Sequence, residues 1–138
     1  MRILRKYSLL LAPLAMTGCA TVPVAGETCL SLADAFADAA TIRAGTASDA
    51  LGGKSLCDGL ADLREKEFGL ARLRLGAALK RANPDQRWPI QGYLAKAEWL
   101  DQLGELALRN WELAIKASVR AKDKWREALF RGDRGTYY

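Results

Sequence analysis

Acidic residues at a spacing of four are the first candidates for chemistry in this 138-residue chain. The pairs are Asp34 with Asp38, Asp58 with Asp62, and Asp101 with Glu105. On an α-helix this spacing places both carboxylates on one face, where they could act as general acid and general base. Because solvated acidic positions are far commoner than catalytic pairs, we interpret these pairs as solvated positions without a catalytic role.

Other kinds of catalysis lack their usual residues. The chain has no histidine, which removes the common general base near neutral pH, the common metal ligand and any imidazole-based triad. The sequence contains no G-x-S-x-G elbow, no cluster of metal ligands and no phosphate-binding loop. We therefore expect no enzyme, no metal and no cofactor. A small hydrolase that uses carboxylates or a serine is the weakest functional alternative.

The N-terminal residues have the composition of an export signal. A basic segment at residues 2–6 precedes an apolar run at residues 7–16, which is too short for a permanent membrane helix of about 20 residues. The run ends in Met16-Thr17-Gly18-Cys19. This motif resembles the lipobox of bacterial lipoproteins, although a lipobox usually has Leu three residues before the cysteine and Ala or Ser two before it.

The resemblance implies that residues 1–18 are a lipoprotein signal peptide and that Cys19 becomes an acylated N-terminus. Three acyl chains on Cys19 would give stable anchoring, which takes two or more lipid signals. Ala20, where some lipoproteins have Asp, implies sorting to the outer membrane, with the polypeptide facing the periplasm. The alternative is an ordinary signal peptide that is cut elsewhere, with Cys19 a plain thiol.

Two cysteines remain after Cys19, namely Cys29 and Cys57. An even pair in a chain that matures in an oxidising compartment predicts a disulfide. On the chain-entropy account, a loop of this size would contribute about 3–4 kcal/mol to stability. The alternative is two buried thiols that pack as small apolar side chains.

The formal net charge of +5 overstates the basicity of the mature chain. Removing the signal peptide and its three basic residues leaves 18 basic and 16 acidic residues, so nucleic-acid binding loses its main support. The remaining excess lies near the C-terminus, on Lys116, Arg120, Lys122, Lys124, Arg126 and Arg131. These residues are either a solvated helix face or a surface for an anionic partner.

Helical periodicity predicts an all-α fold. Residues 19–28 form a lipidated flexible tether, and residues 29–138 form a helical domain. We predict three helices, Leu32–Arg43, Ser55–Ala82 and one long C-terminal helix, Pro89–Arg131. They would pack as a small helical bundle with the long helix as its spine. The end of that helix is either covered by the first helix or exposed.

One apolar stripe of the long helix supplies candidate contacts for a protein partner. The candidates are Trp111, Ile115, Trp125 and Leu129, provided that they are exposed. Helix-in-groove binding requires no further chemistry. The leading hypothesis is therefore a non-enzymatic interaction lipoprotein that binds another envelope protein, similar in size and coarse architecture to pilotins, with no shared residue motif. The alternative is a structural lipoprotein whose basic end contacts anionic cell-wall or membrane polymer.

Overall fold

A computed structural model describes residues 28–137, with the side chain of residue 137 excepted. The predicted signal peptide (residues 1–18), the predicted lipidation site Cys19 and residues 19–27 of the predicted tether lie outside the described residues. Thr28, the last residue of the predicted tether, caps α1 instead. Within the described part the chain forms seven α-helices. They are α1 (Cys29–Asp34), α2 (Ala39–Ala44), α3 (Lys54–Arg64), α4 (Phe68–Arg81), α5 (Trp88–Leu100), α6 (Gly104–Arg120) and α7 (Lys124–Tyr137). The all-α class is confirmed.

The prediction of three helices is wrong, because each predicted helix is interrupted by a turn. Each of the four turns contains one residue that is not glycine but has a left-handed backbone conformation. These residues are Phe36 (φ 60°), Lys66 (φ 65°), Gln102 (φ 68°) and Lys122 (φ 58°). Two backbone hydrogen bonds close every turn. In the third turn, the N–H of Leu103 donates to the carbonyl of Glu98 at 2.7 Å and the N–H of Gln102 donates to Trp99 at 3.0 Å. This is the Schellman pattern of a helix end.

The short helices fold back on one another around α5, which contacts α3, α4, α6 and α7. Its buried residues lie on all sides of the helix, from Pro89 and Ile90 to Ala97 and Glu98. The spine of the bundle is therefore α5, not a long C-terminal helix. The chain beyond the Lys122 turn packs on α5 and α6 as α7.

A glycine permits the close contact between α5 and α7. Gly92 faces the Phe130 ring so closely that a Cβ atom at position 92 would overlap it. Phe130 is fully buried, and its ring packs edge-on against Trp88 at 6.4 Å and Tyr93 at 6.0 Å between centroids. This aromatic cluster attaches the C-terminal helix to the centre of the fold.

The disulfide between Cys29 and Cys57 is present and joins the first residue of α1 to α3. Both residues are fully buried, and their Cα atoms are 5.3 Å apart. The Cys29 N–H also donates to the Thr46 carbonyl at 2.8 Å. The bond therefore holds the start of the described chain against the core.

Candidate functional site

A cleft of about 300 Å³ lies where α1, α3, α5, α7 and the start of α4 meet the Phe36 and Lys66 turns. We call it the cationic cleft. Its wall is mainly apolar and includes Ala33, Leu60, Leu63, Phe68, Leu100 and Leu129. Clefts that bind small molecules have volumes of roughly 300–1,000 Å³ and combine apolar walls with a few polar groups. This cleft has the size and lining of such a site.

Three cations from three different elements line the cationic cleft. Arg64 ends α3, Lys66 lies in the following turn, and Lys96 lies in α5. Against partners within residues 28–137, none of the three side chains forms a salt bridge. Their positive charge is therefore available to a group that enters the cleft.

Phe36 lies at the same cleft and is 61% exposed. A left-handed conformation costs a residue with a side chain about 1–2 kcal/mol relative to the right-handed helical one. The turn is held by the Ala37 N–H, which donates to the Leu32 carbonyl at 3.0 Å, and by Arg64 Nε, which donates to the Ala37 carbonyl at 3.0 Å. An exposed aromatic ring in this constrained turn is a candidate contact for a ligand.

Asp133 of α7 is the acidic residue of the cationic cleft. Burial raises the pKa of its carboxyl, while the charge of Lys96 lowers it. The carboxyl thus shares the cleft with three cations, and its negative charge partly offsets theirs.

A cluster of three polar side chains beside the cleft, Asp34, Tyr93 and Arg126, joins α1 to α5 and α7. Tyr93 donates its hydroxyl hydrogen to Asp34 Oδ1 at 2.5 Å, and Arg126 Nη2 donates to Asp34 Oδ2 at 2.6 Å. The Arg126 guanidinium also lies 5.7 Å from the centre of a Trp88 ring. Burial and the neighbouring Asp34 carboxylate raise the pKa of Tyr93 far above its usual range. The phenol therefore remains a neutral donor, and the group acts as a structural clamp.

The predicted basic surface is only partly present. The prediction that Arg126 belongs to an exposed basic surface is wrong. Its side chain is only 19% exposed and is paired with both Asp34 and Asp123. Arg131 is exposed but pairs with Glu127 at 3.0 Å. The other four residues of the predicted surface, Lys116, Arg120, Lys122 and Lys124, are exposed and form no salt bridge with the described residues.

The predicted partner-binding stripe does not form one surface. Trp111 is fully buried and Ile115 is 4% exposed, so these two residues are wrong as contact candidates. They lie on the face of α6 that packs against the core. The Lys122 turn separates them from Trp125, which is 49% exposed, and from Leu129, which is part of the cleft wall.

The acidic pairs do not form a joint site. Asp34 ends α1 while Asp38 caps α2, so the intervening turn removes them from a common helix face. Asp101 and Glu105 are likewise separated by the turn at Gln102.

Asp58 and Asp62 do share α3, but they have different surroundings. The prediction of a solvated position is wrong for Asp62, which is buried and accepts from Arg43 at 3.2 Å and from Arg74 at 2.8 Å. Asp58 pairs with Lys54 at 3.2 Å. We interpret both carboxylates as structural.

Sequence reasoning missed the residues that make the cleft, above all Phe36, Lys66 and Lys96. Phe36 lies inside the predicted helix Leu32–Arg43, because no glycine or proline marks the turn that exposes it. Lys66 and Lys96 are 30 positions apart in the chain. No local pattern brings them together, so only the packing of α3 on α5 could reveal them.

No helix within residues 28–137 combines the length and hydrophobicity that crossing a bilayer requires. The same part of the chain contains no group of three or more cysteine or acidic side chains that could hold a metal ion. Comparison of the chain with protein-family models, with curated proteins and with solved structures finds no significant match.

Proposed function

We propose that this chain is a bacterial lipoprotein, anchored in the outer membrane through Cys19, whose helical domain binds another envelope protein without catalysing a reaction. Support for the anchor is the lipobox-like sequence Met16-Thr17-Gly18-Cys19. Support for binding is the environment of Trp125, which carries the proposal. Tryptophan is enriched at the energetic centres of protein interfaces.

Trp125 lies beside a shallow groove between α1 and the start of α7, lined also by Ser31 and Ala35. Its side chain is 49% exposed. Two exposed cations, Lys122 and Lys124, are close to it in the chain. An exposed aromatic ring with a polar surround is the composition of a protein-binding patch. This α1–α7 groove replaces the buried α6 stripe as the contact surface.

Crosslinking in living cells tests the interaction. A photoreactive amino acid is placed at position 125 and, as a matched control, at Leu73, which is 62% exposed on α4. We expect a specific protein adduct from position 125 and none from position 73. Identification of the adduct by mass spectrometry would also test a pilotin-like role, which requires a secretin subunit. Equal adducts at both positions, or none, would contradict the proposal.

Metabolic labelling tests the anchor separately. Radiolabelled palmitate should mark the wild-type chain and leave a Cys19→Ser variant unmarked. The variant should also leave the membrane fraction. A wild-type protein that is not labelled and fractionates like the variant would contradict the proposed lipid anchor at Cys19.

A second candidate function is a structural lipoprotein that contacts anionic cell-wall or membrane polymer. It is favoured by the exposed cations Lys116, Arg120, Lys122 and Lys124, which extend across the α6–α7 turn. Purified cell wall should then retain the protein at low salt and release it at high salt, since salt screens exposed charges. Lys124→Glu should weaken retention, whereas the control Lys80→Glu, at an exposed position of α4, should not. Salt-independent retention would contradict this candidate.

A further inference from the structure

We propose that the cationic cleft binds a fatty-acid anion, with the hydrocarbon chain against its apolar wall and the carboxylate at Arg64, Lys66 and Lys96. The proposal stands on the cleft alone. It requires neither the lipid anchor at Cys19 nor the α1–α7 groove.

The volume and wall of the cleft fit a single hydrocarbon chain. The cleft measures about 300 Å³, which is about twice the roughly 150 Å³ apolar cavity that accommodates one benzene. Side chains from five helices, including Leu60, Leu100 and Leu129, form the wall. A slender apolar chain can fill such a space, and its burial removes apolar surface from water.

The cations determine the sign of the head group. Arg64, Lys66 and Lys96 approach the cleft from α3, the next turn and α5, and they form no salt bridge with the described part of the chain. Their aliphatic stems can extend the apolar wall while their charged ends reach water. A carboxylate between the charged ends would accept charge-assisted hydrogen bonds, which are stronger than neutral ones.

Asp133 opposes an anionic ligand from α7, and this gives the proposal a distinctive test. Replacing Asp133 with Asn removes one negative charge from the cleft and should tighten binding of a fatty-acid anion. Replacing Lys96 with Gln removes a positive charge and should weaken binding. General damage to the fold would weaken binding in both variants, so opposite effects identify an electrostatic site.

The exposed ring of Phe36 supplies a contact at the cleft. It is 61% exposed although it is large and apolar, and its left-handed turn is held by hydrogen bonds to the carbonyls of Leu32 and Ala37. Burial of this ring against a ligand would remove apolar surface that the protein alone leaves in water.

The experiment uses the full-length protein in envelopes from expressing cells. A dodecanoic acid that carries a photoreactive diazirine in its chain is added, irradiated and mapped by mass spectrometry after digestion. We expect labels on Phe36, Leu100 and Leu129 that excess dodecanoate removes and excess dodecyltrimethylammonium leaves in place. The two competitors have the same chain length and heads of opposite charge.

Variants then measure the contribution of each charge. For each variant, the dodecanoate concentration that halves probe labelling measures its affinity for dodecanoate. Lys66→Glu and Lys96→Gln should each weaken dodecanoate binding by about fivefold or more, and Asp133→Asn should tighten it by a similar factor. Lys116→Glu, an exposed substitution on α6, should have no effect. Circular dichroism and thermal unfolding verify that each variant is folded.

Several outcomes would overturn the proposal. One is labelling spread evenly over exposed leucines outside the cleft, such as Leu73 and Leu113. Another is equal competition by the cationic and anionic amphiphiles. A third is a folded Lys66→Glu variant that binds dodecanoate as tightly as wild type. A wild-type chain that palmitate does not label would contradict the proposed anchor but leave these expectations unchanged, so the two proposals can fail independently.

Discussion

At the scale of single residues, Glu98 is the buried acid with the clearest energetic consequence. The residue lies in α5 and is 6% exposed, and its Oε1 accepts a hydrogen bond from Asn110 Nδ2 at 2.7 Å. Burial raises the pKa of its carboxyl above the ordinary 4.5, while the Asn110 hydrogen bond and the charges of Arg72 and Arg109 lower it by less. The native state therefore binds this proton more tightly than the unfolded chain.

A raised native pKa predicts a stability that falls as pH rises. Between about 4.5 and the raised native value, the folded protein holds more protons than the unfolded chain, so the free energy of unfolding decreases across this interval. Glu98→Gln keeps an acceptor for Asn110 and removes the titration. We expect the variant to gain stability relative to wild type as pH increases from 4 to 8, measured by urea unfolding.

The control for this prediction is Glu112→Gln, on the exposed face of α6. It should change the unfolding free energy by less than about 0.5 kcal/mol. If the stability of Glu98→Gln relative to wild type instead stayed constant or fell between pH 4 and pH 8, the stated sign would be wrong.

At the scale of elements, four Schellman turns made by residues other than glycine determine how the helices are divided. Sequence patterns correctly indicate helix in most of the residues between 29 and 131, because apolar residues recur at helical spacing. They do not locate the turns, since Phe36, Lys66, Gln102 and Lys122 carry neither of the usual signals, glycine or proline. Helix packing on α5 overrides the local preference at these positions.

Replacing Gln102 with glycine should stabilise the protein. A side chain in the left-handed region costs about 1–2 kcal/mol, while glycine loses about 0.5–1 kcal/mol through its greater freedom in the unfolded chain. We expect Gln102→Gly to raise the free energy of unfolding by about 0.5–1 kcal/mol, measured by denaturant titration. Gln102→Ala retains a Cβ atom and should change it little. A glycine variant no more stable than the alanine variant would contradict this account.

Two glycines in helices provide a matched test of the α5–α7 contact. A Cβ atom at Gly92 would overlap the buried Phe130 ring, whereas one at Gly76 in α4 would meet nothing within 4 Å. Gly92→Ala should therefore destabilise the protein by about 1–3 kcal/mol through overpacking. Gly76→Ala should stabilise it by about 1 kcal/mol through helix propensity. Thermal unfolding measures both, and changes of the same sign would refute this packing argument.

At the scale of the whole molecule, one disulfide and one clamp hold the N-terminal helices on the bundle. The Cys29–Cys57 bond closes a loop with a sequence separation of 28 residues. The Asp34–Arg126 pair joins residues 92 positions apart. Both features reduce the freedom of α1, from which the proposed tether leads towards Cys19.

Breaking the disulfide should lower the free energy of unfolding by about 3–4 kcal/mol, because the unfolded chain regains loop entropy. The measurement is urea unfolding of the wild-type protein with and without a thiol-free reductant. A Cys29→Ala/Cys57→Ala double variant should resemble the reduced protein and should not respond to the reductant. A midpoint that is the same in the oxidised and reduced wild type would contradict the expectation.

The sequence by itself determined the all-α class, the cysteine pair available for a disulfide and most helical segments. Each of these depends on residue type and local spacing, which a single chain displays directly. The lipobox-like motif is equally local, and its consequence for location remains a prediction.

Only the tertiary structure decided which faces are buried and which distant side chains meet. Trp111 and Trp125 follow one helical stripe in the sequence, yet a turn at Lys122 leaves the first in the core and the second at the surface. The cationic cleft joins Lys66 to Lys96 and Asp133 in the same way. The physical reason is that burial depends on the sum of contacts from all packed helices, which no local pattern contains.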